Sequence, residues 1–122
     1  MRVLDSNLII YAASDMYAFL RPLLMHKDSY VSGITKLEVL GYRHLTADDK
    51  LYLEGVFATT SSIPVSDEVI DLAISLRQSR KMSLGDSIIA ATALLNGCEL
   101  YTNNTADFVH IPGLIVVNPL AS

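Results

Sequence analysis

The chain begins with MRVLDSNLIIYAA, residues 1–13, in which a short apolar run, one aspartate and a longer apolar run follow one another. Val3-Leu4 is too short to form a helix and predicts a buried strand. Residues 7–13 are apolar enough for a helix. Asp5 therefore lies at a junction between a strand and a helix, where open α/β sheets place their functional residues.

Two further acidic residues occupy the same kind of junction. Glu38 lies one helical turn into a predicted segment that follows a short predicted strand at 29–32. Asp86 opens the run from Ser87 to Leu95, which has no polar face that would account for a charge. If the strands are parallel, the three carboxylates meet along one edge of the sheet. The sequence therefore predicts one acidic cluster.

The rest of the chain alternates helical patterns with short apolar runs. Helices are predicted at 16–26, 35–42, 46–57 and 86–96, with another starting at 66–68, and strands at 61–65, 99–102 and 114–117. Pro64 places its strand at an edge of the sheet. We therefore predict one α/β domain, residues 1–122, with a central, mainly parallel sheet of about five strands flanked by helices.

Composition limits the classes of function. Hydrophobic residues make up 51% of the 122 residues, which predicts a filled core rather than disorder. The net charge of -4 argues against a large basic surface for nucleic acid, although bound divalent cations can reverse the charge of an acidic pocket. No apolar run reaches the roughly 18 residues of a membrane span, and Asp5 interrupts any signal peptide. A single cysteine, Cys98, excludes an internal disulfide and is typical of a reducing cytoplasm.

Each carboxylate also has a purely structural interpretation. Asp5 could cap the helix that follows it. Thr35 with Glu38 matches a capping box, and Ser83 with Asp86 imitates one. Carboxylates about 5 Å apart would, however, repel by roughly 3 kcal/mol per pair at an effective dielectric constant of about 20. Because the candidate ligands are all oxygens and these segments contain no histidine, the cluster favours Mg²⁺ or Mn²⁺ over zinc.

A polar segment follows the predicted strand at 99–102 and would emerge at the same edge of the sheet. It reads Thr102-Asn103-Asn104-Thr105-Ala106-Asp107-Phe108. The alternative is a simple turn with Asp107 in solvent. Basic residues that could contact phosphate, or merely complement helix C-termini, are Lys36, Arg43, Arg77, Arg80 and Lys81. His26, His44 and His110 have no spacing typical of a base or a metal triad, and we expect them at or near the surface.

Four motifs resemble those of PIN-domain ribonucleases and together span nearly the whole chain. They are Leu4-Asp5-Ser6-Asn7, Thr35-x-x-Glu38, Gly85-Asp86-Ser87-Ile88-Ile89-Ala90-Ala91-Thr92-Ala93 and Thr102-Asn103-Asn104-Thr105-x-Asp107-Phe108. The third and fourth motifs are quite specific, whereas the first alone is weak. In length and motif order the chain is most similar to VapC-type toxins of toxin–antitoxin pairs.

The resemblance implies a metal-dependent endoribonuclease that hydrolyses phosphodiester bonds in single-stranded or loop RNA. It gives catalytic and metal-binding roles, with Mg²⁺ or Mn²⁺, to Asp5, Glu38, Asp86 and Asp107. It gives supporting roles to Ser6, Asn7, Thr102 and Asn104. Many relatives carry an acid where this chain has Asn104, so either Asn104 or Asp107 supplies the fourth position. The resemblance also implies a cytoplasmic homodimer silenced by a small antitoxin protein.

Three alternatives remain at this point. The chain could be a catalytically weak or inactive PIN-like module that binds RNA or acts as a scaffold. It could be an RNA-processing nuclease outside any toxin–antitoxin pair. A haloacid-dehalogenase-like phosphotransferase also begins with an acid after its first strand, but it needs a second acid where this chain has Asn7.

Overall fold

The computed structural model of the protein describes residues 1–121 and contains a five-stranded sheet. Its strands are β1 (Arg2–Leu4), β2 (Ser29–Ser32), β3 (Ser61–Ile63), β4 (Glu99–Tyr101) and β5 (Val116–Val117). They lie in the order β3-β2-β1-β4-β5, and every neighbouring pair is parallel. The predicted α/β architecture with a parallel sheet of about five strands is confirmed.

Six α-helices flank the sheet. They are α1 (Ser6–Ala12), α2 (Arg21–Met25), α3 (Gly33–Leu40), α4 (Ala47–Thr59), α5 (Asp67–Ser79) and α6 (Leu84–Leu95), with short 3-10 segments at Asp15–Leu20 and Thr105–Asp107. No single helix in residues 1–121 is both long and apolar enough to cross a membrane. Among the described residues, one pair of helical segments, Ser6–Ala12 and Asp15–Met25, would be long and apolar enough if joined. The chain bends by 119° between them.

Helix α3 begins two residues before the predicted start at Thr35. The hydroxyl of Ser32 caps the helix by accepting a hydrogen bond from the backbone N–H of Ile34 at 3.3 Å. The predicted capping box of Thr35 with Glu38 is therefore wrong, because the cap position is already filled three residues earlier. Glu38 is consequently not part of the helix cap, and the residue is exposed.

Proline and glycine account for other boundaries. The predicted helix at 16–26 divides into a 3-10 segment and α2, with Pro22 in the first turn of α2. Strand β3 lies at the sheet edge, as predicted, but ends at Ile63 immediately before Pro64. Helix α6 ends before Gly97, which adopts a positive φ of 62°. Strand β5 covers only the last two residues of the predicted strand at 114–117.

The core consists of two layers, one on each face of the sheet. Successive strand residues point to opposite faces, so Val3 packs with α5 and α6 while Leu4 packs with the helices of the other face, α1 to α4. Leu100 of β4 and Phe108, both completely buried, belong to the layer of Val3. Phe108 thereby anchors the chain segment that follows β4.

The strand order reverses beside β1. The chain adds β2 and β3 on one side of β1 and then returns to place β4 and β5 on the other side. Val3 is in register with Tyr30 of β2 on one side and with Leu100 of β4 on the other. The crevice between the carboxyl ends of β1 and β4 is thus the topological switch point, where open α/β sheets bind their ligands.

We predict that Phe108→Ala lowers the free energy of unfolding by about 3–5 kcal/mol, because it leaves a large cavity in a fully buried layer. Urea denaturation monitored by circular dichroism measures this loss. The matched control is Val109→Ala, since the Val109 side chain is 59% exposed and surface truncations cost about 0.5 kcal/mol or less. Equal losses in the two variants would contradict the packing role of Phe108.

Candidate active site

Asp5 lies at the carboxyl end of β1 and is 5% exposed. Its Oδ1 accepts a hydrogen bond from the backbone N–H of Ser6 at 2.8 Å, so the predicted capping of α1 by Asp5 is confirmed. Burial raises the pKa of Asp5 above its ordinary value, and the charges of Glu38 and Asp107 raise it further. The hydrogen bonds that Asp5 accepts oppose this rise only in part. Capping therefore explains the hydrogen bond of one carboxylate oxygen. It does not fully offset the free-energy cost of burying the ionised carboxylate.

Thr102 connects Asp5 to the other side of the switch point. Thr102 follows β4, is completely buried, and donates its hydroxyl proton to Asp5 Oδ2 at 2.6 Å. The same hydroxyl oxygen accepts a hydrogen bond from the backbone N–H of Asn104 at 3.0 Å. Hydrogen bonds to ionised acceptors are short and strong. Of the predicted supporting residues, Thr102 thus contacts the acid directly, whereas the backbone of Asn104 contacts only the Thr102 hydroxyl.

Ser6 links the first acid to the second. Its hydroxyl donates a hydrogen bond to Oε1 of Glu38 at 2.7 Å, while its backbone N–H binds Asp5. Helices α1 and α3 pack against each other, which brings Ser6 and Glu38 together although they are 32 residues apart in sequence. Ser6, which is predicted as a supporting residue, thus contacts two of the predicted acids.

Glu38 also lies against the first turn of α6. A Cβ atom added to Gly85 would collide with the Glu38 carboxylate, and the nearest approach is to Oε2. Gly85 has no positive φ, so its backbone does not call for glycine, whereas a side chain here would force the Glu38 carboxylate to move. Sequence reasoning missed this role. The available signal was a glycine in the first turn of an otherwise apolar helix, where glycine is unfavourable.

Asp86 completes the group from the first turn of α6. The hydroxyl of Ser83 accepts a hydrogen bond from the backbone N–H of Asp86 at 3.1 Å, so one half of the predicted capping box is present. Burial, followed by the charges of Asp5 and Asp107, raises the pKa of Asp86 to about 6. Glu38 adds a smaller effect in the same direction. Acids from four separate segments therefore act on one another electrostatically.

The four predicted acids differ in exposure and spacing. Asp5 is buried, Asp86 is partly buried, and Glu38 and Asp107 are exposed. Within residues 1–121, no three His, Cys, Asp or Glu side chains stand close enough together to form a ready-made metal site. The predicted cluster is thus present as an electrostatic group but not as a compact ligand cage.

The chemistry of this group fits a hard divalent cation. Every candidate donor is an oxygen, and Mg²⁺ and Mn²⁺ prefer oxygen ligands. Burial raises the pKa values of Asp5 and Asp86, and neighbouring carboxylates raise them further, so a bound cation would offset the part that is due to negative charge. Asn7 adds a further polar atom, since its Oδ1 is buried without a hydrogen-bond partner among the described residues.

Comparison with known proteins identifies the family. The family model for the PIN domain matches residues 2–114. A chain of a toxin–antitoxin complex from Klebsiella pneumoniae is 31% identical, with 100% of each chain covered and a TM-score of 0.80. No curated protein matches this chain.

Two less similar structures share the fold. VapBC2 from Rickettsia felis, bound to a DNA fragment from its promoter, contains a chain that is 24% identical, with 96% of this chain and 97% of that chain covered and a TM-score of 0.76. FitAcB from Neisseria gonorrhoeae contains one that is 23% identical, with 98% of each chain covered and a TM-score of 0.76. From the match over residues 2–114 and the likeness to the Klebsiella chain, this protein belongs to the PIN domain family.

Proposed function

We propose that the protein is a metal-dependent endoribonuclease that hydrolyses RNA phosphodiester bonds and serves as the toxin of a type II toxin–antitoxin pair. The observation that carries this proposal is the electrostatic coupling of Asp5, Glu38, Asp86 and Asp107 at the switch point of a PIN-domain sheet. Burial, together with the neighbouring negative charges, raises the pKa of Asp5 and Asp86, so the ionisation of these two carboxylates opposes folding at neutral pH. A site that collects cations accounts for it.

Asp5, Glu38 and Asp86 would hold Mg²⁺ or Mn²⁺, with Asp107 as the fourth acidic residue. When bound, the ion supplies an acidified water and neutralises charge at the phosphodiester. The charge of Asp107 acts on both Asp5 and Asp86, whereas the Asn104 side chain is exposed and its backbone serves Thr102. This difference supports Asp107 over Asn104 at the fourth position.

The supporting residues have separate tasks in this proposal. Thr102 keeps Asp5 Oδ2 oriented, and Ser6 holds Asp5 and Glu38 in fixed relation. Both are positioning residues that leave further lone pairs of the carboxylates available to a cation. The unpartnered Oδ1 of Asn7 is a candidate acceptor for a water molecule or for the ribose of the substrate.

Two of the three alternatives remain testable. An RNA-binding module without catalysis has no use for all four acids, and the chain retains every one. A processing nuclease would share the same site, so only the biological context distinguishes it from a toxin. Membership of the PIN family gives no support to the haloacid-dehalogenase-like phosphotransferase.

The toxin assignment implies partners. The Klebsiella relative belongs to a toxin–antitoxin complex, and we extend that partnership to this chain as a small antitoxin protein. Exposed apolar side chains such as Met16, Phe19 and Leu37 offer surface for an antitoxin and for a homodimer. A ribonuclease toxin acts where RNA is translated, so we place the protein in the cytoplasm.

We predict that Asp86→Asn lowers the rate of RNA cleavage by about 100-fold or more, because even the groups that support metal ligands contribute about 10- to 100-fold. Cleavage of fluorescent single-stranded RNA in the presence of Mn²⁺, with and without EDTA, measures the loss. The matched control is Asp71→Asn, an exposed acid on α5 that does not act on Asp5 or Asp86. Wild-type rates in Asp86→Asn, or cleavage that persists in EDTA, would refute the metal-dependent nuclease.

We predict that Asp86→Asn has a higher Tm than the wild type well above pH 6 in EDTA. The pKa of Asp86 in the folded protein, about 6, lies above the ordinary value of 3.8, so ionisation of Asp86 opposes folding as the pH rises through 6. The difference in Tm should disappear below pH 3.8, where Asp86 is protonated in both states. Thermal melts across this pH range measure the difference in Tm, and a constant difference at every pH would contradict the electrostatic origin.

Added Mn²⁺ should raise the Tm of the wild type more than that of the Asp86→Asn variant.

We predict that Gly85→Ala keeps the fold but lowers cleavage by about 10-fold or more, the lower range for losing support of a metal ligand. The new Cβ would displace the flexible Glu38 carboxylate, while alanine favours the helix by up to about 1 kcal/mol. The matched control is Gly55→Ala in α4, where a Cβ meets no atom within 4 Å. The Tm and the cleavage rate are both measured. Full activity in Gly85→Ala would show that the position of Glu38 is unimportant.

A further inference from the structure

A cavity of about 540 Å³ opens beside the acidic group. It lies between the loop that precedes α6 and the segment that contains the second 3-10 helix. Asp86 and Asp107 form part of its wall, and Lys81 and His110 line it as well. Its volume falls within the roughly 300–1,000 Å³ that is typical of small-ligand sites. It is therefore large enough to take a nucleotide next to the acids.

The two basic side chains of this cavity are available to a ligand. Lys81 and His110 are both exposed, and within residues 1–121 neither forms an ion pair or a side-chain hydrogen bond, since the ion pairs there join Arg21 to Asp15 and His26 to Asp28. Two other candidate phosphate contacts, Arg77 and Lys36, do not line this cavity. Arg77 donates a hydrogen bond to the carbonyl of Met82, and Lys36 lines a separate apolar pocket.

A polyanionic substrate needs fixed positive charge near an acidic site. The chain has a net charge of -4, so long-range attraction does not bring RNA to it. Lys81 supplies a local cation in the wall of the cavity that Asp86 and Asp107 also line, where it can contact a phosphate that flanks the reacting one. The planar imidazole of His110 offers a surface on which an unpaired base can stack, as aromatic rings and histidine do in RNA complexes.

We propose that this cavity is the subsite for the nucleotide of single-stranded RNA adjacent to the cleaved phosphodiester, with Lys81 on its phosphate and His110 against its base. This inference rests on the proposed ribonuclease activity, because it defines where the substrate of that activity lies. Lys81 and His110 bind and orient RNA, and neither takes part in the proton transfers of hydrolysis.

The test measures binding separately from cleavage. Fluorescence anisotropy with a labelled single-stranded RNA is performed in the Asp86→Asn background with Mn²⁺, so that the RNA stays intact. Adding Lys81→Gln should make the plot of log binding constant against log salt shallower by about 0.7, the value for one phosphate contact on a single strand. Adding His110→Asn should weaken binding about fivefold, the lower range for one stacked base, and His110→Phe should restore it.

The control is Lys27→Gln. Lys27 is exposed and precedes β2, so it lies at the amino ends of the strands, whereas the acids lie at the carboxyl ends. Loss of its charge should therefore leave RNA binding unchanged. The subsite is refuted if Lys81→Gln gives the same salt dependence as Lys27→Gln, or if His110→Asn binds as tightly as the parent. Cleavage by the wild-type protein is measured in parallel. Its absence would refute the nuclease, whereas normal cleavage with unaltered binding in both variants would refute only the subsite.

Discussion

The hydrogen bond between the Thr102 hydroxyl and the buried carboxylate of Asp5 joins the two halves of the sheet at the point where the strand order reverses. A buried carboxylate is costly unless the fold supplies donors. Thr102 supplies one at 2.6 Å and the Ser6 backbone another at 2.8 Å. The same residues extend the connection outward, because Asn104 orients Thr102 and Ser6 binds Glu38. The geometry of the acidic group therefore depends on how Asp5 is held.

These donors compensate only part of the electrostatic disadvantage. The pKa of Asp5 stays raised despite its two hydrogen bonds, and that of Asp86 rises to about 6. A protein selected for stability alone would disperse such charges. Packing instead brings them closer, since Gly85 leaves room for the Glu38 carboxylate beside α6. Within residues 1–121 the acids do not form a compact set of metal ligands. Stability and cation affinity are thus in direct conflict at this edge of the sheet.

Local patterns in the sequence anticipated most of the secondary structure, and the errors have identifiable causes. The strand at 29–32 and the edge position of β3 followed from apolar runs and from Pro64. The sequence predicts too late a start for helix α3 because two hydroxyl residues, Ser32 and Thr35, are both suitable caps. The geometry of the chain after β2 selects Ser32. The predicted range of strand β5 is too long because pairing with β4, rather than the composition of the segment, sets the length of the strand. Cap choice and strand length are decided by neighbours in space.

Local sequence is enough to specify the alternation of strands and helices, the oxygen chemistry of the candidate ligands, and the junctions at which Asp5 and Asp86 lie. Those features follow from local periodicity and residue chemistry, which act over a few neighbouring positions. Three other features appear only in the folded chain: the strand order, the contact of Glu38 with Gly85, and the cavity that brings Lys81 and His110 beside Asp107. These relations join segments separated by tens of residues. They arise when two apolar layers close over the sheet and fix which helix ends become neighbours.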